Sequence, residues 1–231
     1  MPKLFLLRHI KSQWNEESRF SGWMDVPLDE NEINDAKSLA DKTVNKFKIG
    51  KIYCSSLFRN QDTITRMFEF GNKKYPIFLH LDKSKEKRRG HFIDISDNDV
   101  PVYISNNLNE RYYGKLQGMD KEETIKKYGE EKVHLWRRSY AIAPPGGESL
   151  KDVFKRAIPF YKKYIEKDLK KGSNVLIVAS HNALRAIVKY IEKIADDKII
   201  DLEIPYAGLI KYDFDEKLKL QNKKVDWDST G

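Results

Sequence analysis

The chain has 231 residues, 40% of them apolar and 12% aromatic, which is enough for one sizeable α/β core; its single cysteine, Cys54, excludes an internal disulfide framework and fits a reducing compartment. No apolar run approaches the ~18 residues of a membrane span, and the N-terminus lacks the ordered charged, apolar and cleavage regions of a signal peptide, so a cytoplasmic protein with no membrane partner is expected. The net charge of +8 favours anionic ligands, but the densest basic run, Lys83 to Arg89, has no interleaved aromatics and reads as a solvated loop, which argues against nucleic acid.

In chain order, Lys3 to Leu7 is a short apolar run expected to form a first buried strand, discharging into Arg8 and His9. Ile33, Ala36, Leu39, Ala40, Val44 and Phe47 keep a helical period, and Ile49 to Ser55 reads as a second strand. This β-α-β order implies a right-handed crossover and a parallel pair. A second helix follows Ser56, carried by Ile64, Met67 and Phe68. Residues 71–107 contain two short strand candidates, Ile77 to Leu81 and Val100 to Ile104, separated by a polar stretch that reads as a surface insertion. Ser149, with Asp152 three residues on, caps a long amphipathic helix that Pro159 should kink. Asn174 to Ala179 is another buried strand, again followed by a helix, on which Leu184, Ile187, Val188, Ile191 and Ile194 align. Leu209 to Phe214 and Leu218 to Leu220 flank a turn and read as a hairpin or terminal edge strands, with the last ten residues loose. Strands alternating with helices predict a single three-layer α/β/α domain over residues 1–231 with a mostly parallel sheet.

The chemistry collects where strands end. Arg8 closes the first strand, Arg59 follows the second on the first turn of its helix, and Arg137 and Arg138 form a pair after Trp136. Planar guanidinium groups bind phosphate oxygens bidentately, and helix N-termini add backbone donors, so these arginines suggest a phosphate pocket if they converge. A lone histidine after a strand is usually structural, but His9 beside Arg8 suits phosphoryl capture: a pKa of ~6.5 leaves roughly three quarters of an ordinary imidazole neutral and nucleophilic at pH 7. A group that gives and takes a proton is then required, and Glu110 is the candidate, with a surface pairing to Arg111 as the structural alternative.

Five ordered blocks carry a specific resemblance. Arg8-His9 with Ser12, Trp14, Asn15 and Phe20 to Leu28 comes first, followed by Ser55 to Arg59, Leu108 to Gly118, Tyr128 to Glu131 with Trp136 to Tyr140, and Pro144 to Ser149. Together they are similar to the cofactor-dependent phosphoglycerate mutase family of the histidine phosphatase superfamily. The resemblance implies that fold, His9 as the phosphorylated nucleophile, and Glu110 as proton donor and acceptor. It also implies that Arg8, Arg59, Ser12, Asn15, Ser21 and Gly22 hold the transferring phosphate. Arg111, Tyr113, Lys121, Arg137 and Arg138 would grip the rest of the substrate, and Ser180, His181 and Asn182 fall on the family's second histidine motif. Interconversion of 3- and 2-phosphoglycerate in glycolysis, 2,3-bisphosphoglycerate as primer, no metal, a small phosphorylated substrate and a homodimer are the further implications.

Three departures fall inside these motifs. Ile10 and Lys11 stand where the family has Gly and Glu, and a β-branched residue forbids a positive φ. Ungapped alignment puts Ser180 on the family's second histidine and His181 one position late. A one-residue shift turns a side chain to the other face of a strand, or by ~100° on a helix. The alternatives are therefore a histidine phosphatase, or a catalytically impaired homologue that binds phosphorylated ligands or a protein partner.

Overall fold

The computed structural model describes residues 1–71, 74–82 and 96–227. Its centre is a seven-stranded sheet in the order β3-β4-β2-β5-β1-β6-β7. The strands are β1 (Lys3–Arg8), β2 (Lys51–Cys54), β3 (Tyr75–His80), β4 (Asp99–Ile104), β5 (Val175–Ala179), β6 (Leu209–Phe214) and β7 (Leu220–Asp226). The first five run parallel to one another, β6 runs antiparallel to β1, and β7 runs antiparallel to β6. Strands covered on both faces read as unbroken apolar runs, and Val175–Ala179 is buried at every position.

Alternation along a strand splits the core into two layers. Leu4 and Leu6 pack with α6 (Leu150–Phe160) and α8 (His181–Glu192) on one face. Phe5 and Leu7 pack with α2 (Asp35–Lys42) and α3 (Phe58–Phe70) on the other. Between β4 and α6 lie α4 (Lys121–Tyr128) and α5 (Glu130–Arg138), built on a small separate core of Phe20, Leu116, Val133 and Trp136.

Several expectations are corrected. The first two strands do not pair; β5 lies between them, parallel to both. The β1–β2 crossover leads to one side of β1 and the connection from β5 to β6 leads to the other, so the chain diverges at the carboxyl ends of β1 and β5, where open sheets bind ligands. The helix expected to reach Phe47 stops at Lys42, where the buried Thr43 leaves helical dihedrals at φ −126°, ψ −90°. Ser149 and Asp152 form the expected capping box on α6, and just beyond Pro159 the helix widens over Tyr161–Ile165 before α7 (Glu166–Lys170). Both strand candidates within 71–107 are members of the sheet; most of the polar stretch between them, including the basic run Lys83 to Arg89, lies outside the described residues. The tail is not loose from residue 222, because β7 continues to Asp226 on the β6 ladder, an exposed polar edge strand with no apolar run to betray it. No helix of the described residues is long and apolar enough to cross a membrane.

Candidate active site

Arg8 and His9 leave the carboxyl end of β1 beside the end of β5, with Arg8 in register with Ala179. The His9 ring is almost wholly buried, and its Nδ1 lies 2.6 Å from the Ile10 carbonyl. A carbonyl only accepts, so Nδ1 carries the proton and Nε2 keeps its lone pair. That lone pair lies 3.3 Å from Arg59 Nε. Burial first, then the charges of Arg59 and Arg8, push the His9 pKa well below the usual histidine range. The imidazole is thus neutral throughout the physiological range, a stronger condition than its residue type alone provides.

Arg59, on the first turn of α3, is fully buried, and its guanidinium donates to the carbonyls of Gly22 at 2.8 Å and Met24 at 3.0 Å. Burial lowers its pKa to about 10, which leaves it charged at neutral pH. Gly22 has φ +50°, a left-handed conformation that favours glycine, with the Gln117 side chain lying where a Cβ would stand. Ser12 caps α1 (Gln13–Glu16) and bonds Asn15 Oδ1 at 2.8 Å, which fixes Asn15 facing Ser21. Ser12 itself does not reach the cavity.

Glu110 lines the same cavity as His9, held by its backbone and by its carboxylate. Its carbonyl accepts from Trp23 Nε1 at 2.5 Å and from Arg156 Nη2 at 2.8 Å. Its carboxylate accepts from Arg111 N at 2.7 Å, Asn182 Nδ2 at 2.5 Å and Asn182 N at 3.2 Å. The Pro144 to Glu148 turn presses on this loop, and Gly114, with φ +54°, accommodates it because a Cβ would meet Pro145 O at 2.4 Å.

The segment after β5 resolves the displaced motif. Ser180 is the N-cap residue of α8, and its hydroxyl faces α3, where it accepts from Asn60 Nδ2 at 3.0 Å. His181, the first helical residue, is turned onto the cavity, with Nε2 3.1 Å from Glu203 Oε2 and 3.4 Å from Ile204 N. Burial and the charges of Arg8, Arg185, Arg138 and Arg111 lower its pKa well below the usual range.

These groups line one cavity of about 250 Å³, together with Tyr113, Lys121, Arg137 and Arg138. The concentration of positive charge is visible in Lys121, which burial and then Arg137, Arg8 and Arg138 push down to about 8. Such a site lowers the cost of bringing in a polyanion. Among the described residues no cluster of three or more His, Cys, Asp or Glu side chains could hold a metal ion.

Of the side chains singled out from sequence, Ser12, Ser180 and Arg111 do not line the cavity. Arg111 departs from the expected placement: its fully buried guanidinium donates to the carbonyls of Trp136 at 2.6 Å and Arg137 at 2.5 Å and to Asn182 Oδ1 at 2.9 Å, so its terminal nitrogens hold neighbours behind the cavity wall. Ile10 is buried in the core, its φ is not positive, and its amide donates to Thr63 Oγ1 at 3.1 Å. Lys11 points away, paired with Glu16 and 3.9 Å from Glu32. Arg19, Phe20, Glu203 and Tyr206 line the cavity without having been picked out. For Tyr206 the signal is only spatial: Arg8 stacks over its ring at 3.7 Å, from a strand nearly two hundred residues away in sequence.

The family model of the histidine phosphatase superfamily, branch 1, matches residues 4–77 and 87–225. The chain is 42% identical over 218 residues to a 2,3-bisphosphoglycerate-dependent phosphoglycerate mutase of Methanococcus vannielii, covering 94% of this chain and 92% of that one. It is 36% identical over 233 residues to a protein of that name from Gloeobacter violaceus, covering 97% and 99%. Among solved structures, a mycobacterial glucosyl-3-phosphoglycerate phosphatase with VO3 superposes with a TM-score of 0.73 at 22% identity, covering 98% of each chain. Bacillus stearothermophilus YhfR does so with a TM-score of 0.73 at 21% identity over 96% and 95%. At that identity the two structures bear on the fold alone.

Proposed function

The chain belongs to the histidine phosphatase superfamily, branch 1, and within it to the 2,3-bisphosphoglycerate-dependent phosphoglycerate mutases, and from that membership we propose that it interconverts 3-phosphoglycerate and 2-phosphoglycerate through a phosphorylated His9. The observation that carries the reading is the unprotonated Nε2 of a neutral His9, which accepts from Arg59 Nε at 3.3 Å, in a cavity that also holds Glu110 and the cations Lys121, Arg137 and Arg138.

In this reading Nδ1, anchored on the Ile10 carbonyl, keeps its proton while Nε2 forms the bond to phosphorus. Arg8 and Arg59 sit where charge on the phosphoryl oxygens develops, and neither must reorganise, because both are already fixed by carbonyls. Glu110 gives its proton to the sugar-acid oxygen as the P–O bond breaks. In the return step it takes the proton of the attacking hydroxyl, so acid and base roles alternate and the proton count closes. Asn182 holds that carboxylate toward the cavity throughout. Lys121, Arg137 and Arg138 hold the other anionic end, so the two substrate hydroxyls can present themselves in turn to His9.

Bound 2,3-bisphosphoglycerate would supply the phosphoryl group that first loads the histidine. The donor set fits such a ligand: Arg8, Arg59, Lys121, Arg137 and Arg138 surround one small cavity, an excess of cations suited to a compact polyanion.

The test is incubation with labelled 2,3-bisphosphoglycerate, followed by assay for acid-labile label and for conversion of 3- to 2-phosphoglycerate. Label on the protein, absent in His9→Asn, together with turnover is the expected result. No label overturns the phosphohistidine route, and label that passes to water without 2-phosphoglycerate makes the protein a phosphatase.

A further inference from the structure

Glu203 brings a carboxylate into a cavity built for anions. The segment that follows it is pinned. The Ile204 carbonyl accepts from Arg8 Nη1 at 2.6 Å, Tyr206 lies under the Arg8 guanidinium, and Ala207 N donates to the His9 carbonyl at 3.2 Å. Glu203 is therefore delivered to one place. There Oε1 pairs with Arg138 and Oε2 lies 3.1 Å from His181 Nε2.

Glu110, the other carboxylate of the cavity, is locked by Asn182 and the Arg111 amide. Glu203 differs: its side chain is 53% exposed against 23% for Arg138 and 11% for His181, so the acid has solvent to swing into while its partners stay in place. A carboxylate paired with the Arg138 guanidinium at one end of this cavity has the shape and charge of the carboxylate end of a small organic acid.

We propose that Glu203 is a resident anion that occupies the Arg138–His181 end of the cavity and is displaced by the second anionic group of an incoming ligand, which makes it a specificity-determining residue. This rests on the reading of the cavity as a phosphoglycerate site. A ligand with two anionic heads must evict Glu203 and recovers the Arg138 contact in exchange. A ligand small enough to stay at the His9–Arg59 end leaves Glu203 where it is. Discrimination between the two classes is thus set partly by a residue that never meets the transferring phosphate.

The experiment is calorimetric titration of the unphosphorylated protein and of Glu203→Gln with 3-phosphoglycerate and, separately, inorganic phosphate. Glutamine keeps the size of the side chain but gives up the ion pair. An exposed pair of this kind translates into about two- to fivefold in a dissociation constant. The expected result is 3-phosphoglycerate bound two- to fivefold more tightly by the variant, inorganic phosphate unchanged within twofold, and Glu203→Asp close to the wild type. Unchanged or weaker 3-phosphoglycerate binding overturns the proposal, as does an equal gain for both ligands, which would mark a general field effect. If the wild type binds neither ligand and His9 takes no label from 2,3-bisphosphoglycerate, the functional reading falls as well. Labelling that persists while Glu203→Gln binds as wild type leaves that reading intact and removes only this one. A melting temperature within 3 °C of wild type shows that the variant is folded.

Discussion

Asn182 is the junction on which the site's geometry depends. Its Nδ2 donates to Glu110 Oε1 at 2.5 Å, and its Oδ1 accepts from Arg111 Nη2 at 2.9 Å and Arg185 Nη1 at 3.0 Å. Both arginines are fully buried. Asn182→Ala removes three hydrogen bonds to ionised groups at once, each worth about 1.5–3 kcal/mol in isolation. The sum overstates the loss, because Arg111 keeps two carbonyl partners and Arg185 keeps the carbonyls of Arg138 and Ile199. A broken buried network of this kind costs about 3–5 kcal/mol. For a chain of this size that lowers the melting temperature by about 6–20 °C. With Glu110 left only the backbone donors of Arg111 and Asn182, its carboxylate is less firmly aimed, and phosphorylation of His9 should also slow, by about 10²-fold. Asn182→Asp separates the contributions. It still accepts from both arginines, but sets a carboxylate where Nδ2 had been, against Glu110. Two carboxylates that close share a proton, so this variant should approach wild-type stability near pH 5 and lose it as the pH rises. Thermal unfolding followed by circular dichroism, with single-turnover labelling of His9, measures both. An alanine variant melting within 2 °C of wild type, or an aspartate variant as unstable at pH 5 as the alanine one, would refute the account.

Three further outcomes are expected. His9 and His181 are held neutral by burial and by arginines, so the unfolded chain binds more protons than the folded one once the pH falls below ~6.5; stability should then decline toward acid by up to about 1.4 kcal/mol per pH unit for each, and His9→Asn should remove about half of that slope in denaturant titrations between pH 6.5 and 5. Ser180→Ala should cost about 1–3 kcal/mol, because Asn60 loses its buried acceptor, yet leave His9 labelling within about threefold, whereas His181→Ala should slow labelling ~10²–10³-fold; equal kinetic losses would show that the family's histidine role had passed to the serine. With its pKa lowered to about 8, Lys121 is increasingly neutral above that pH, so affinity for 3-phosphoglycerate should weaken as the pH rises from 7 to 9, with proton uptake on binding near pH 8, and Lys121→Met should abolish both the uptake and the pH dependence there.

The elements that could be read from sequence are those whose signals are local. The apolar run before Arg8-His9, the Ser149–Asp152 capping box and the period of α8 each lie within a dozen residues, and each forms as that spacing dictates. The same holds for His9 and Glu110, which stand in motifs whose neighbours shape their own loops. The terminal hairpin is legible, but β7 reads short, at Leu218 to Leu220, because an exposed edge strand needs only ladder partners and its residues beyond Leu220 carry no alternation to mark them.

Direction was the missing quantity elsewhere. Arg111 and Arg137 are equally cationic in the sequence, yet the first spends its donors on carbonyls of α5 and the second faces the cavity. Ser180 and His181 are adjacent, and the start of a helix between them sends one side chain to α3 and the other to the site. Glu203 and Tyr206 belong to no motif at all and matter only because β6 returns beside β1. The sequence by itself determined the layered α/β class and the family, since residue type and short spacing decide those, and it singled out His9 and Glu110 as the pair proposed to exchange phosphate and proton. Which cations face the ligand, where the displaced histidine points and which anion waits in the pocket were decided only by tertiary structure, because each depends on a side-chain vector set by contacts between segments far apart in the chain.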